Sequence, residues 1–250
     1  AYEIPKRDWS SDVCSSDLNN HGSTLNFVNG LSTSQDLTMT GAGAVLTGGN
    51  ISLTGGTFTW GGGTIASSGA STFTTSSPVA TNITGDVTLG RNWTSNGATT
   101  IGASPTAGPG TISINSGKTW TVQVPLSIYS TATAPQVKGA GTMVVDAGTT
   151  TSIDATTTIG DGTTKFDNAG TVTLNSRALT INASSSSGDT GTYNMTASNA
   201  GVDLNFSGGT RTFGTGTTIT SSGGTPSPTV TFSGANATFN AGSITDTSLG

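Results

Sequence analysis

Between Gly49 and Gly69 the chain reads GNISLTGGTFTWGGGTIASSG, and its apolar residues alternate with Ser and Thr in three short runs: Ile51/Leu53, Phe58/Trp60 and Ile65. The runs follow Gly49, Gly56 and Gly63, which stand seven residues apart. Strict alternation over four to six residues predicts strands with one face inward and one outward. The glycines between them predict tight corners, where positive φ is tolerated. The same unit varies along the rest of the chain: Leu25–Asn29, Asp36–Thr40, Ser71–Thr75, Asp86–Gly90, Thr111–Asn115, Thr119–Val124, Thr142–Asp146 and Thr150–Asp154. Val172/Leu174 and Leu179/Ile181 restore the seven-residue beat. Phe206-Ser-Gly with Phe213 recurs 26 residues later as Phe232-Ser-Gly with Phe239. Ala103–Gly110, Ala132–Gly141, Ser184–Gly191 and Gly223–Pro228 are expected to be loops, the first and last of them rich in Pro and Gly.

A beat of seven is too tight for most sandwich strands, whose turn signals come every ~8–12 residues. Three such runs make a coil of about 20 residues, a period within the range of solenoid repeats. The expected fold is therefore all-β: a single-stranded right-handed parallel β-helix, or β-solenoid, with coils of about 20 to 26 residues. One or more antiparallel β-sandwiches are the alternative. Apolar residues of one coil would stack on those of the next. Burying each contributes about 1.5–3 kcal/mol, against about 1–2 kcal/mol for fixing each residue's backbone. With so few apolar residues, backbone ladders and Thr/Asn stacking must share the work.

Composition narrows the picture. The 250 residues include 37 Gly, only 8 % are charged, and the net charge is −5. Disordered chains usually combine low hydrophobicity with high charge, which is absent here. An acidic chain has no basic surface for phosphate-driven binding, so nucleic acid is not expected as a partner. No apolar run approaches the ~20 residues of a membrane-spanning helix. Trp9–Leu18, WSSDVCSSDL, differs from everything downstream and resembles, codon by codon, the translation of a sequencing-adapter oligonucleotide. Residues 1–18 are accordingly expected to be an artefact or a disordered tail, and 19–250 a solenoid repeat region cut from a longer protein. Setting residues 1–18 aside removes Cys14 and Glu3, and leaves six basic residues against nine Asp.

Patterns such as GGTFTWGGGTI, NAGTVTLNSRALTI and FSGGTRTFGTGTTI resemble the repeats of large bacterial surface β-solenoids, namely autotransporter passenger domains and filamentous-haemagglutinin-like adhesins. The resemblance covers about residues 22–250. It implies a secreted or cell-surface stalk that mediates adhesion or presents other domains. Host-surface or matrix glycans or proteins would then be the partners, and a membrane would be reached only through an anchor outside this stretch.

Candidate chemistry is sparse. His21 is the single histidine, so Ser-His-Asp, Cys-His and His/Cys zinc arrangements have no partners to draw on. Asp146, Asp154, Asp161 and Asp167, with Lys165 and Arg177, form the densest acidic stretch. A Ca²⁺ site or a polysaccharide-cleaving site needs such carboxylates to converge. Their spacing of six to eight residues instead predicts successive corners or sides of one coil, and they are read as corner and turn residues. Thr-x-Thr pairs (Thr57/Thr59, Thr171/Thr173, Thr218/Thr220, Thr229/Thr231) would suit an ice-binding array only if aligned on one face, and are read as ordinary strand composition. Trp60 and Trp120 are expected in the core; Trp93, Tyr129 and Tyr193 are left open between core and sugar stacking. No catalytic residue, metal ligand or cofactor is assigned. The expected role is a non-enzymatic, extracellular structural or adhesive segment. A carbohydrate-active β-helix enzyme, lyase or hydrolase, is the alternative.

Overall fold

The computed structural model describes residues 18–102, 110–129, 134–196, 201–222, 227–240 and 243–246. Within them all regular structure is β, in thirty strands of three to six residues. Every strand ladder is parallel, and the strands stack as a β-solenoid of about nine turns. The antiparallel sandwich is thereby excluded.

The Gly49–Gly69 stretch shows how a turn is made. Ile51–Leu53, Thr57–Trp60 and Gly63–Ile65 are three consecutive strands, and each belongs to a different sheet. The first face carries eleven strands, from Leu18–Asn20 through Thr57–Trp60 to Ser243–Asp246. The second carries ten, from Thr24–Phe27 to Thr229–Phe232. The third runs through seven strands, Leu31–Thr33 to Lys165–Asn168, and resumes as the pair Thr210–Phe213 and Asn236–Phe239. Along the first face, turn length varies from 18 residues (Thr81 to Thr99) to 27 (Thr99 to Leu126) without loss of register, slightly wider than the 20 to 26 expected. At the corner before Ile65, Gly63 has φ +84°, and a Cβ there would fall 2.2 Å from the Ala44 carbonyl oxygen. Only glycine lets successive corners approach this closely.

Alternation decides what the sheets enclose. On the second face Val87, Ile112, Val137, Ile159, Ile181 and Phe206 succeed one another in register. On the first, Ile83, Ile101, Ile128, Ile153, Leu174 and Met195 do the same. All twelve are buried. The parallel ladder repeats every ~4.8 Å, so like residues stack in van der Waals contact along the axis. The third face carries an aromatic column, Phe73, Trp93 and Trp120. Trp93 and Trp120 lie 4.9 Å apart at an interplanar angle of 4°. Each of these two indoles donates to an inward hydroxyl of the neighbouring turn: Trp93 Nε1 to Thr75 Oγ1 and Trp120 Nε1 to Ser95 Oγ, both at 3.2 Å. The 26-residue repeat is one turn, with Phe206 opposite Phe232 and Phe213 opposite Phe239.

Two boundaries differ from expectation. The loop expected at Ala132–Gly141 contains a second-face strand, Gln136–Lys138. Only Val137 points inward from it, and one apolar residue leaves no alternation to read. The first described strand begins at Leu18, which pairs with Leu37, inside the segment set aside at 1–18. Glu3, Trp9 and Cys14 lie outside the described residues, as do most of the loop at 103–110 and residues 223–226.

Candidate functional site

The four aspartates of the acidic stretch do not meet at one point. Asp146 follows the third-face strand Thr142–Val145 and accepts a bond from Gln123 Nε2 at 2.8 Å. Asp154 follows the first-face strand Thr150–Ile153. Asp161 sits at the corner after the second-face strand Thr157–Ile159. Asp161 Oδ1 accepts from Thr163 Oγ1 (2.7 Å), Thr163 N (3.0 Å), Thr164 Oγ1 (3.1 Å) and Thr164 N (3.3 Å), while Oδ2 accepts from Gly139 N (3.0 Å). These bonds, the Thr163 hydroxyl foremost, hold its carboxyl well below the usual carboxylate range against a smaller opposing effect of burial. Asp167 departs from the expected corner position. It lies within the strand Lys165–Asn168 and is buried. Among the described residues no three His, Cys, Asp or Glu side chains are grouped so that they could hold a metal ion. His21 Nδ1 is 2.6 Å from Thr40 Oγ1 at an exposed position. Trp60, Trp93, Trp120 and Tyr193 are all core, whereas Tyr129 is 44 % exposed.

The densest constellation of polar chemistry lies where the third sheet is interrupted. In the turn that follows Lys165–Asn168, the third face is crossed by the loop Ser184–Gly191 instead of a strand. Single bridges at Lys165/Ser184 and Asp189/Phe213 are all that remains of its ladder there. Asp167 reaches one turn along and accepts from Ser186 N (2.7 Å), Ser187 Oγ (3.0 Å), Ser187 N (3.1 Å) and Gly188 N (3.3 Å). Asp189, at the other end of the loop, turns inward. Its carboxylate accepts from Asn168 N (2.9 Å), Tyr193 Oη (3.0 Å) and Arg211 Nη2, the last as an ion pair. Asp189, Tyr193 and Arg211 are each 0 % exposed.

Arg211 comes from the resumed third-face strand Thr210–Phe213, at an inward position. Its Nη1 donates to the Ala183 carbonyl at 3.2 Å. Its Cζ lies 5.4 Å from the Phe166 ring centroid, 5.6 Å from Phe206 and 5.9 Å from Phe213. The guanidinium thus occupies an aromatic cage whose ring faces favour a cation, with a carboxylate at its tip. Nε has no protein partner. Burial, reinforced by the Asp189 charge, pushes the Tyr193 phenol well above its ordinary range, so it remains a donor. From the sequence, Tyr193 is open between core and sugar stacking, and Asp189, within a serine-rich loop, carries no local signal. The signal it lacked was the turn length: Asp189 and Arg211 stand 22 residues apart, about one coil.

A second buried arginine stitches the opposite part of the stack. Arg91, 0 % exposed, donates through Nε to Ala66 O (2.8 Å) and through Nη1 to Gly49 O (2.8 Å) and Thr72 O (3.4 Å). Nη2 donates to Gly48 O (3.4 Å) and again to Ala66 O. Desolvation lowers its pKa. One side chain therefore satisfies corner carbonyls from successive turns, which a ladder of alternating short strands leaves open.

Both clusters are sealed by the coils around them. Arg91, Asp189, Tyr193 and Arg211 expose no surface, and their bonds join residues of successive turns. The fold defines the class, a parallel β-solenoid repeat protein. No family model, no curated protein and no solved structure matches the chain.

Proposed function

We propose that the chain is a non-enzymatic, extracellular structural or adhesive segment of a bacterial surface or secreted protein, working through stiffness, reach and repeated surface display. The observation that carries this is the division of chemistry between inside and outside. The charges of the two buried clusters, Asp189, Arg211 and Arg91, face inward and are consumed by structural bonds. The outward positions of the first-face strands are almost entirely Thr, Ser and Asn. About nine turns at ~4.8 Å each span on the order of 40 Å of rod. Parallel ladders with aliphatic columns resist shear between turns, as a stalk requires. Glycans or proteins of a host surface or matrix are the partners such a display would meet.

The test pairs two measurements on the purified chain. Arrays of glycans and matrix proteins read binding, and a panel of acidic and neutral polysaccharides is assayed for new reducing ends and unsaturated products. Binding without cleavage is the expected result. Product release that scales with the purified protein would replace this reading with that of a carbohydrate-active β-helix enzyme.

A further inference from the structure

The first face differs from the other two. The second-face ladder carries a register shift between Ile181 and Asn182 and places Asp86 and Lys138 at outward positions. The third is interrupted at Ser184–Gly191 and turns Val144 and Asp167 away from the apolar column. The first runs through eleven strands with no register shift in any of its pairings.

Its outward side is a lattice. Thr150, Thr171, Thr192 and Thr218 succeed one another in register as one column. Ser152, Thr173, Asn194 and Thr220 form the second, two residues further along each strand. The second column continues through earlier turns as Thr59, Asn82, Thr100 and Ser127. No charged or aromatic side chain stands in either column over these turns. Rows repeat every ~4.8 Å across the ladder and every ~6.6 Å along the strands. The inward residues between them, Thr151, Val172, Tyr193 and Ile219, are packed into the core and hold the sheet. Threonine is stiff at χ1, so methyl and hydroxyl groups are presented at fixed positions. Thr220 Oγ1 also donates to Asn194 Oδ1 at 3.2 Å, tying adjacent rows together.

We propose that this face binds the surface of ice. An uncharged array that repeats in two directions, with hydroxyl and methyl groups at its threonines, hydroxyls at Ser127 and Ser152 and amides at Asn82 and Asn194, would order water in rows as a growing ice surface does. Hydroxyls anchor the first waters. Methyl groups deny them competing bonds and leave them free to join a lattice. Rigidity removes the ordering cost that a mobile surface would add on binding. A crystalline polysaccharide is less well suited, because it is gripped by exposed aromatic platforms and Trp60, Trp93, Trp120 and Tyr193 all point into the core. The Thr-x-Thr pairs at Thr171/Thr173 and Thr218/Thr220 belong to this face; Thr229/Thr231 belongs to the second.

The experiment uses the whole chain. Ice-crystal shaping, thermal hysteresis and inhibition of ice recrystallisation are measured for the wild type, for T173K/T220K on the first face and for T94K on the third. Circular dichroism and thermal melts verify that each is folded. Shaped crystals and slowed recrystallisation are expected for the wild type and T94K, with loss of both in T173K/T220K. T173S, which keeps the hydroxyl, retains the larger part of the effect and serves as the readout should T173K/T220K misfold. A wild type that leaves ice growth unchanged overturns the proposal, as does equal activity in folded T173K/T220K. Sedimentation showing a dimer that T173K/T220K dissociates, with no effect on ice, would assign the face to a second copy of the chain instead.

Discussion

Arg211 and Asp189 form an ion pair about one turn apart in the stack, with both side chains fully enclosed. The pair sits where the third sheet lacks a strand. Its bonds to Tyr193, Asn168 and Ala183 connect the seven-stranded part of that face to the part that resumes at Thr210.

Removing one partner leaves the other charged, desolvated and unpaired. Arg211→Met and Asp189→Asn are each expected to destabilise the chain by about 3–5 kcal/mol. The double variant should lose far less than their sum, because the interior is then neutral. Urea unfolding of the four proteins measures the coupling; strict additivity would show that the pair contributes no specific interaction.

Tyr193 gives the stack an alkaline limit. Its folded pKa is raised, so its contribution to stability is complete below the unfolded value near 10 and is lost as pH climbs beyond it. Stability measured by denaturant titration should decline above about pH 10, and Tyr193→Phe should flatten that decline. In the wild type the Tyr193 phenolate absorbance should rise together with unfolding. Ionisation of Tyr193 in a fully folded chain would contradict this.

At the acid end the relevant group is Asp161. Its folded pKa is depressed by the hydroxyl and amide donors of Thr163, Thr164 and Gly139. Its contribution is therefore present above the unfolded value near 4 and disappears as pH falls below it. Asp161→Asn should lower stability at neutral pH and make the profile below pH ~4 shallower. An unchanged profile would mean that this corner adds nothing measurable.

The aromatic column gives a spectroscopic test. Trp93→Ala removes a fully buried ring stacked on Phe73 and Trp120, at an expected cost of about 3–5 kcal/mol. The near-ultraviolet dichroism of the parallel Trp93–Trp120 pair should vanish in both Trp93→Phe and Trp120→Phe. A signal that survives either change would come from another chromophore.

Arg91→Met should expose the other stitch. Carbonyls of Gly48, Gly49 and Ala66 would lose their donor, at about 1–3 kcal/mol for each one left buried. Arg91→Lys should recover only part of this, since an ammonium cannot present the planar fork. Hydrogen exchange at Ser52 and Thr74 on the third face reads whether these turns loosen; equal protection in Arg91→Met would deny the guanidinium its role.

How much of this was legible follows from where the information sits. Alternation at Phe58/Trp60 or Val172/Leu174 is local, and it located strands, inward faces and the three-strand turn. The recurrence of Phe206/Phe213 at Phe232/Phe239 fixed a turn length outright. Gln136–Lys138 escaped because a strand with one inward residue carries no period. Asp189 escaped for a different reason: its meaning depends on Arg211, and a pairing about one coil away becomes visible only once every corner length is known. Lattice order on the first face was hidden in the same manner. Thr-x-Thr occurs on more than one face, and only register separates aligned pairs from scattered ones.

Along the first face, turn length varies between 18 and 27 residues while the ladder keeps its partners. The molecule therefore counts in turns and is indifferent to residues. An insertion at a corner becomes a decoration, and a deletion there a trim; neither propagates along the axis. Such a scaffold can accumulate or shed loops, one turn at a time, while the order of its first face passes through unchanged.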